Sequence, residues 1–156
     1  MKLYKIEKSN SDKRGLCAAK NIKIGTRIIE YIGKIISNKE VDKNPKFDNS
    51  KDIYLFDLNS RLSLDGDYNW NTARLINHSC NPNCEVEGKG LKLWITAIKD
   101  IKEGEELSYD YGFRYDSDYK QFPCKCRSKN CVGYIVREGS RWRINKKFKK
   151  SQRVNR

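Results

Sequence analysis

Short apolar stretches separated by frequent turns predict a mostly β domain built of several small sheets. Three observations carry that expectation. No stretch of the 156 residues keeps a 3.6-residue apolar period long enough for a substantial helix. No internal repeat or heptad is present. Runs with strand-like alternation, such as Arg27 to Ile32, are closed by glycine, asparagine or polar turns. The length is one domain's worth of chain, enough to bury a core.

Lys2 to Ile6 alternates as a short strand, and Ser9 to Arg14 is a polar turn. Gly15 to Ala19 is small and apolar enough to lie against another backbone, and Ile22 to Gly25 turns the chain into Arg27 to Gly33, a second strand. Ser37 to Asp52 is polar and carries Pro45, so it is expected to be a loop with at most one helical turn. Ile53 to Leu58 and Leu62 to Asp65 read as a hairpin around Asn59-Ser60, with Asp65-Gly66 a further turn. Asn71 to Ile76 contains Ala73, Arg74 and Leu75, good helix formers, and is expected to be one short helical turn. Gly88-Lys89-Gly90 joins Glu85 to Glu87 and Leu91 to Ile98 as a hairpin. Lys102 to Glu105 turns into a last strand, Leu107 to Tyr111.

The 33 Lys and Arg against 20 Asp and Glu give a formal charge of +13, which points to acidic or polyanionic neighbours. Nine basic residues and one acid lie from Arg137 onward, a net +8. That stretch is expected to be a basic tail, either in contact with nucleic acid through counterion release or simply solvated. No apolar run approaches the roughly 18 residues of a membrane span, and the first ten residues have no apolar signal core. A soluble protein of a reducing compartment is expected, so the six cysteines read as metal ligands or free thiols rather than disulfides.

Arg74 to Cys84, R-L-I-N-H-S-C-N-P-N-C, holds the chain's single histidine, two cysteines, three asparagines and a proline. Such a stretch cannot be the interior of a regular element and reads as a binding loop. Cys124, Cys126 and Cys131 are spaced so that three thiolates reach one ion, and tetrahedral zinc then takes a fourth ligand from elsewhere, Cys80 or Cys84. Cys17, beside Ala18, reads as core. His78 has no partner for a nucleophilic triad and reads as a binding residue rather than a base. Tyr109 and Tyr111 share one face of the expected last strand, with Asp110 on the other. Aromatic packing alone would explain most of the nine tyrosines.

Together these stretches resemble the SET-domain protein lysine methyltransferases with a cysteine-rich post-SET segment. The motifs are R-G-L-C-A at Arg14 to Ala18, E-Y-I-G at Glu30 to Gly33, Y-L-F at Tyr54 to Phe56, and A-R-L-I-N-H-S-C-N-P-N-C at Ala73 to Cys84. They continue with G-E-E-L-S-Y-D-Y at Gly104 to Tyr111 and the cysteines up to Gly133. The resemblance implies a SET domain over 2–115, a zinc-binding post-SET segment over 120–136 and a basic tail over 137–156. It also implies a C-terminal pseudoknot, with the segment around Tyr111 passing through a loop near Asn77, which general topological rules disfavour.

By the same resemblance S-adenosylmethionine lies against Asp12, Lys13 and Arg14. Tyr54, Asn77 and His78 complete the pocket, and Lys125, Tyr134 and Ile135 cover it. Cys80 is the fourth ligand of one structural zinc ion with Cys124, Cys126 and Cys131, leaving Cys84 as packing. Tyr111 is the catalytic tyrosine, Tyr109 the position that is Tyr or Phe in the family, and Tyr31 lines the substrate-lysine channel. Trp70 stands where the family usually has glycine.

The implied activity is methyl transfer to a lysine of a histone or other basic chromatin or nucleoid protein, mono- or dimethylation being favoured. The setting is cytoplasmic or nuclear and chromatin-associated, delivery into a host cell included. The competing expectations are a zinc-stabilised chromatin or nucleic-acid binding module without turnover, and a methyltransferase for a non-histone protein.

Overall fold

The computed structural model describes residues 1–47 and 54–148. Among the described residues the strands form four small sheets. β1 (Tyr4–Glu7) pairs antiparallel with β2 (Gly15–Ala18) around the polar turn. β3 (Arg27–Tyr31), β9 (Lys92–Ala97) and β8 (Cys84–Lys89) make a three-stranded antiparallel sheet in the order β3-β9-β8. β4 (Lys34–Ser37), β6 (Leu62–Asp65) and β5 (Leu55–Asp57) make another, with β6 central. β7 (Asn77–His78) pairs in parallel with β10 (Ser108–Tyr109), with Ser108 opposite Asn77 and Tyr109 opposite His78.

The sheets meet in one apolar core that contains Leu16, Ile22, Tyr31, Ile76, Ile95, Ile101, Leu107 and Tyr109. β2 is buried along its whole length because it is covered on both edges. On one edge it pairs with β1, and on the other Leu107 N–H donates to the Leu16 carbonyl at 2.7 Å and Ala18 N–H to the Glu105 carbonyl at 2.8 Å. This explains the small, apolar sequence of Gly15 to Ala18. A side chain at Gly15 would meet the Glu106 Oε1 atom at 2.6 Å.

Several boundaries differ from expectation for local physical reasons. The polar stretch after Ser37 forms the six-residue α1 (Asn38–Lys43) and then a 3-10 turn, Pro45–Phe47, rather than a loop with one helical turn. Ser37 starts it as the N-cap, its Oγ accepting from Glu40 N–H at 3.2 Å. The strand expected from Ile53 begins at Leu55, and Ile53 itself lies outside the described residues. Asn71 to Ile76 is a 3-10 turn, Thr72–Leu75. In the β8–β9 hairpin Gly88 and Lys89 stay in the strand, and only Gly90, at φ +62°, takes the left-handed conformation. The strand expected over Leu107 to Tyr111 shortens to β10, because Tyr111 N–H donates to the His78 Nδ1 atom rather than to a backbone carbonyl.

The basic stretch from Arg137 does not start as a free tail. Glu138–Arg143 is a 3-10 helix whose Ser140 and Arg141 are buried. Among the described residues no helix is long and apolar enough to cross a membrane.

Candidate active site and metal centre

Asn77 is the hub of the site. Its Nδ2 donates to the Arg14 carbonyl at 3.1 Å, to Ser9 Oγ at 3.0 Å and to Glu106 Oε1 at 2.9 Å. Ser9 Oγ also donates to Glu106 Oε1 at 2.6 Å and accepts from Ser11 and Asp12 N–H. The Ser9–Arg14 turn is thereby fixed against β7 and the chain just before β10. The sequence alone marks neither Ser9 nor Glu106 as a site residue. The signal for Glu106 was its place in the G-E-E-L-S-Y-D-Y stretch; for Ser9, 97 positions away, there was none.

Beside this hub opens a cavity of about 350 Å³. Of the residues expected around a cofactor, Asp12, Arg14, Tyr54, Asn77, His78, Lys125 and Ile135 line it, with Tyr111. Lys13 and Tyr134 are not among its lining residues. Lys13 N–H turns to the Asp12 carboxylate, and the Tyr134 ring packs edge-on against Tyr119, 5.1 Å between centroids. Arg74, Phe113 and Phe122 also line the cavity and were not anticipated; Phe113 and Phe122 pack edge to face at 5.0 Å. A lining that combines charged and polar side chains with aromatic rings suits a ligand with a charged end and a flat apolar end.

Aromatic rings continue inward from the cavity. Tyr111 lies 4.9 Å from Tyr109, Tyr109 lies 6.2 Å from Phe56, and Phe56 meets Tyr31 edge-on at 4.7 Å. The Tyr111 hydroxyl donates to the Ile76 carbonyl at 2.8 Å and the Tyr31 hydroxyl to the Tyr54 carbonyl at 3.2 Å. Gly66 permits the Tyr31 packing, since a methyl there would clash with the hydroxyl edge of the ring, and Gly33 permits the close backbone approach beside it, where a methyl would strike the Asp65 carbonyl. Burial raises the phenol pKa of Tyr31, Tyr109 and Tyr111 above the ordinary tyrosine value. All three are therefore neutral hydroxyls at physiological pH, donors rather than bases.

Both ring nitrogens of His78 are engaged. Nδ1 accepts from Tyr111 N–H at 3.1 Å, which puts the proton of the neutral ring on Nε2, 3.5 Å from Cys80 Sγ. His78 therefore joins the tyrosine segment to the cysteines and is not free to act as a base.

The sulfurs of Cys80, Cys124, Cys126 and Cys131 all lie within 4.8 Å of one another. A tetrahedral zinc with bonds of about 2.3 Å to four sulfurs needs them about 3.8 Å apart. Cys80 and Cys124 are at 3.8 Å. Cys80 N–H points to Cys126 Sγ at 3.5 Å and Gly133 N–H to Cys131 Sγ at 3.3 Å, donors that favour thiolates. The hydrogen bond between the Cys80 and Cys124 sulfurs holds the Cys124 pKa down and the Cys80 pKa up, which favours a thiolate in the cluster. The four thiols thus fit a four-sulfur zinc site. Cys84 lies elsewhere, buried in the core, with its thiol pushed up to about 12 by desolvation. Cys17 is also buried and has its pKa raised to about 11, chiefly by burial. Trp70 is half exposed and stacks on Tyr68 at 5.0 Å, away from the cavity lining.

Comparison with known proteins identifies the family of this chain. Residues 13–112 match the SET domain model. The histone-lysine N-methyltransferase trithorax of Drosophila virilis is 40% identical over 128 residues, 78% of this chain and 3% of that protein. Histone-lysine N-methyltransferase 2D of Homo sapiens is 40% identical over 123 residues, 75% of this chain and 2% of that protein. The H3 lysine-4 specific histone-lysine N-methyltransferase of Schizosaccharomyces pombe is 43% identical over 129 residues, covering 78% and 14%. The chain thus spans only 2% to 14% of the length of these relatives. With the family model covering well over half of its residues, this chain belongs to the SET-domain family.

Proposed function

We propose that the chain is an S-adenosylmethionine-dependent protein-lysine N-methyltransferase acting on a histone or another basic chromatin protein, with mono- or dimethylation favoured. The observation that carries this is the continuity of the cavity with the buried tyrosine cluster through Tyr111, which lines one and packs in the other. The histone substrate rests on the names of the relatives. A chromatin setting follows from the same substrate. Tyr111 and Tyr109, with Tyr31, are the residues proposed to act on the substrate lysine.

A lysine amine with a pKa of about 10.4 is neutral in roughly one molecule per few thousand at pH 7. Only the neutral form is nucleophilic. The buried, uncharged phenols of Tyr31, Tyr109 and Tyr111 offer no counter-charge to an ammonium, so they favour the neutral amine by desolvation. No side-chain base is required. S-adenosylmethionine supplies a methyl group on a positively charged sulfur. The Asp12 and Arg14 turn, Tyr54, Asn77, His78, Lys125 and Ile135 are proposed to hold it in the cavity. Lys13 and Tyr134 remain proposed as outer contacts. The Ile76 carbonyl and the Tyr111 hydroxyl, fixed on each other at 2.8 Å, orient the acceptor amine, and alignment of this kind is a proximity effect.

One zinc ion held by Cys80, Cys124, Cys126 and Cys131 is proposed to pin the C-terminal wall of the cavity. The basic stretch beyond Arg143 is left to contact nucleic acid. The test is incubation with labelled S-adenosylmethionine and separated core histones, linker histone and nucleoid proteins. Label on one band, lost in Tyr111→Phe, is expected. Absence of label on every protein, with the methyl donor bound, would contradict the substrate class; absence of donor binding would contradict the enzyme.

A further inference from the structure

Arg141 lies where three parts of the molecule meet. Its side chain is only 3% exposed. Desolvating a guanidinium is costly unless its donors are used, and here each nitrogen has an acceptor. Nε donates to the Val136 carbonyl at 3.0 Å, Nη1 to the Cys80 carbonyl at 2.8 Å and Nη2 to Asp110 Oδ2 at 2.8 Å. The three acceptors belong to the C-terminal turn, the cysteine cluster and the residue between Tyr109 and Tyr111.

The Asp110 carboxylate spreads this anchor further. Its Oδ1 accepts from Gly112 N–H at 2.9 Å and lies 3.8 Å from His78 Nδ1, and its Oδ2 also accepts from Glu138 N–H at 3.1 Å. The Cys80 carbonyl is also held by Asn130 Nδ2 at 2.8 Å. Arg137 N–H donates to the Phe113 carbonyl at 2.9 Å, on the other side of Tyr111. Tyr111 is thus flanked on both sides by residues fastened to the turn that carries Arg141.

We propose that Arg141 is a positioning residue: it ties Asp110 to the Cys80 carbonyl, so that the ordered cysteine cluster sets the alignment of Tyr111. This rests on the methyltransferase function proposed above. A lysine at 141 could keep the charge beside Asp110 but not three fixed donor directions, so it separates charge from geometry.

The test uses the full chain loaded with zinc, with metal content and steady-state kinetics measured together. Arg141→Lys is expected to keep one zinc per chain and KM values within about threefold, while kcat falls about 10- to 100-fold. Addition of methylguanidine to Arg141→Ala is expected to restore part of the lost kcat, which a merely structural role would not do. A kcat for Arg141→Lys within about twofold of the parent overturns the proposal. Should that variant fail to fold or lose its metal, Asp110→Asn decides, since it has the same size, keeps the Arg141 side chain and its bonds to the Val136 and Cys80 carbonyls, and removes only the charge that Arg141 meets at 110. A fall in kcat alone in Asp110→Asn supports the role of Arg141, and parental kcat overturns it. An inactive parent overturns the methyltransferase function itself; an active parent with unaffected variants overturns only Arg141.

Discussion

The sheet scaffold and the C-terminal cysteine segment each supply a wall of one cavity and are held together in different ways. The scaffold buries a continuous apolar core, with Leu16, Ile76, Ile95 and Leu107 fully or almost fully inside. Hydrophobic burial of that kind is non-directional and roughly proportional to area. Beyond Gly112, Val136 is the one apolar residue fully buried among the described residues, and the other buried side chains are Ser140 and Arg141. This segment depends instead on four sulfurs, edge-on aromatic pairs and the Arg141 hydrogen bonds. The scaffold should therefore survive changes that dissolve the second wall.

The sharpest break of this comparison is removal of a sulfur. Cys126→Ser is expected to release the metal and cut methyl transfer by about a thousandfold, because it unties the wall that carries Lys125 and Ile135. Limited proteolysis should then cleave beyond Gly112 while the sheets resist. Cys84→Ala is the control: it removes a more deeply buried thiol from the core, should cost about 1–2 kcal/mol in urea unfolding, and should leave one metal per chain. Loss of metal from Cys84→Ala would contradict the assignment of Cys80 as the fourth ligand.

Tyr111→Phe comes next, acting where the walls meet. It removes the donor to the Ile76 carbonyl and should lower kcat about 100-fold. Stability should fall by only about 1 kcal/mol, as for one hydrogen bond, which differential scanning calorimetry would separate from the kinetic loss.

Burial of the phenols fixes the sign of the pH dependence. Below their raised pKa values Tyr31, Tyr109 and Tyr111 stay protonated, so kcat/KM should rise about tenfold per unit from pH 7 to 9 as the substrate amine loses its proton. A falling limb below pH 9 would show that one of them ionises there. For stability, a phenol pKa raised on folding contributes fully below the unfolded value near 10 and is lost as pH rises through the folded value. Alkaline unfolding monitored by circular dichroism should therefore begin above about pH 10.

Gly66→Ala probes the scaffold side alone. A methyl there displaces the Tyr31 ring, with overpacking of about 1–3 kcal/mol, a raised KM for the protein substrate and unchanged metal content. The smallest expected effect is that of Tyr109→Phe. It should leave kcat for the first methyl within a few-fold and shift the products, by mass spectrometry, towards the trimethyl state. Abundant trimethyllysine from the unmutated protein would contradict the role given to the Tyr109 hydroxyl.

What could be read from the sequence was local. The hairpin at Gly90, the turn at Ser9 to Arg14 and the three-cysteine cluster are each written within a few neighbouring residues. So was the helix after Ser37, whose capping serine with Glu40 three positions later is a start signal that the polar composition obscured. Contacts across long separations were not legible. Glu106 meets Ser9 over 97 positions, and Arg141 reaches Cys80 over 61. Arg141 in particular looked like one more charge in a solvated basic run, because nothing beside it reveals that three acceptors converge from elsewhere. The grouping of the tyrosines with Asn77 and His78, and Cys80 rather than Cys84 as the fourth ligand, are implied by family resemblance and not by periodicity.

The division of labour between the two walls is tested most directly by the affinity for S-adenosylmethionine, measured by titration calorimetry on metal-loaded and chelator-stripped protein. Stripped protein should keep its sheet signal in circular dichroism and bind the methyl donor at least about 100-fold more weakly. Equal affinity in the two forms would contradict a cavity whose second wall is held by the cysteine cluster.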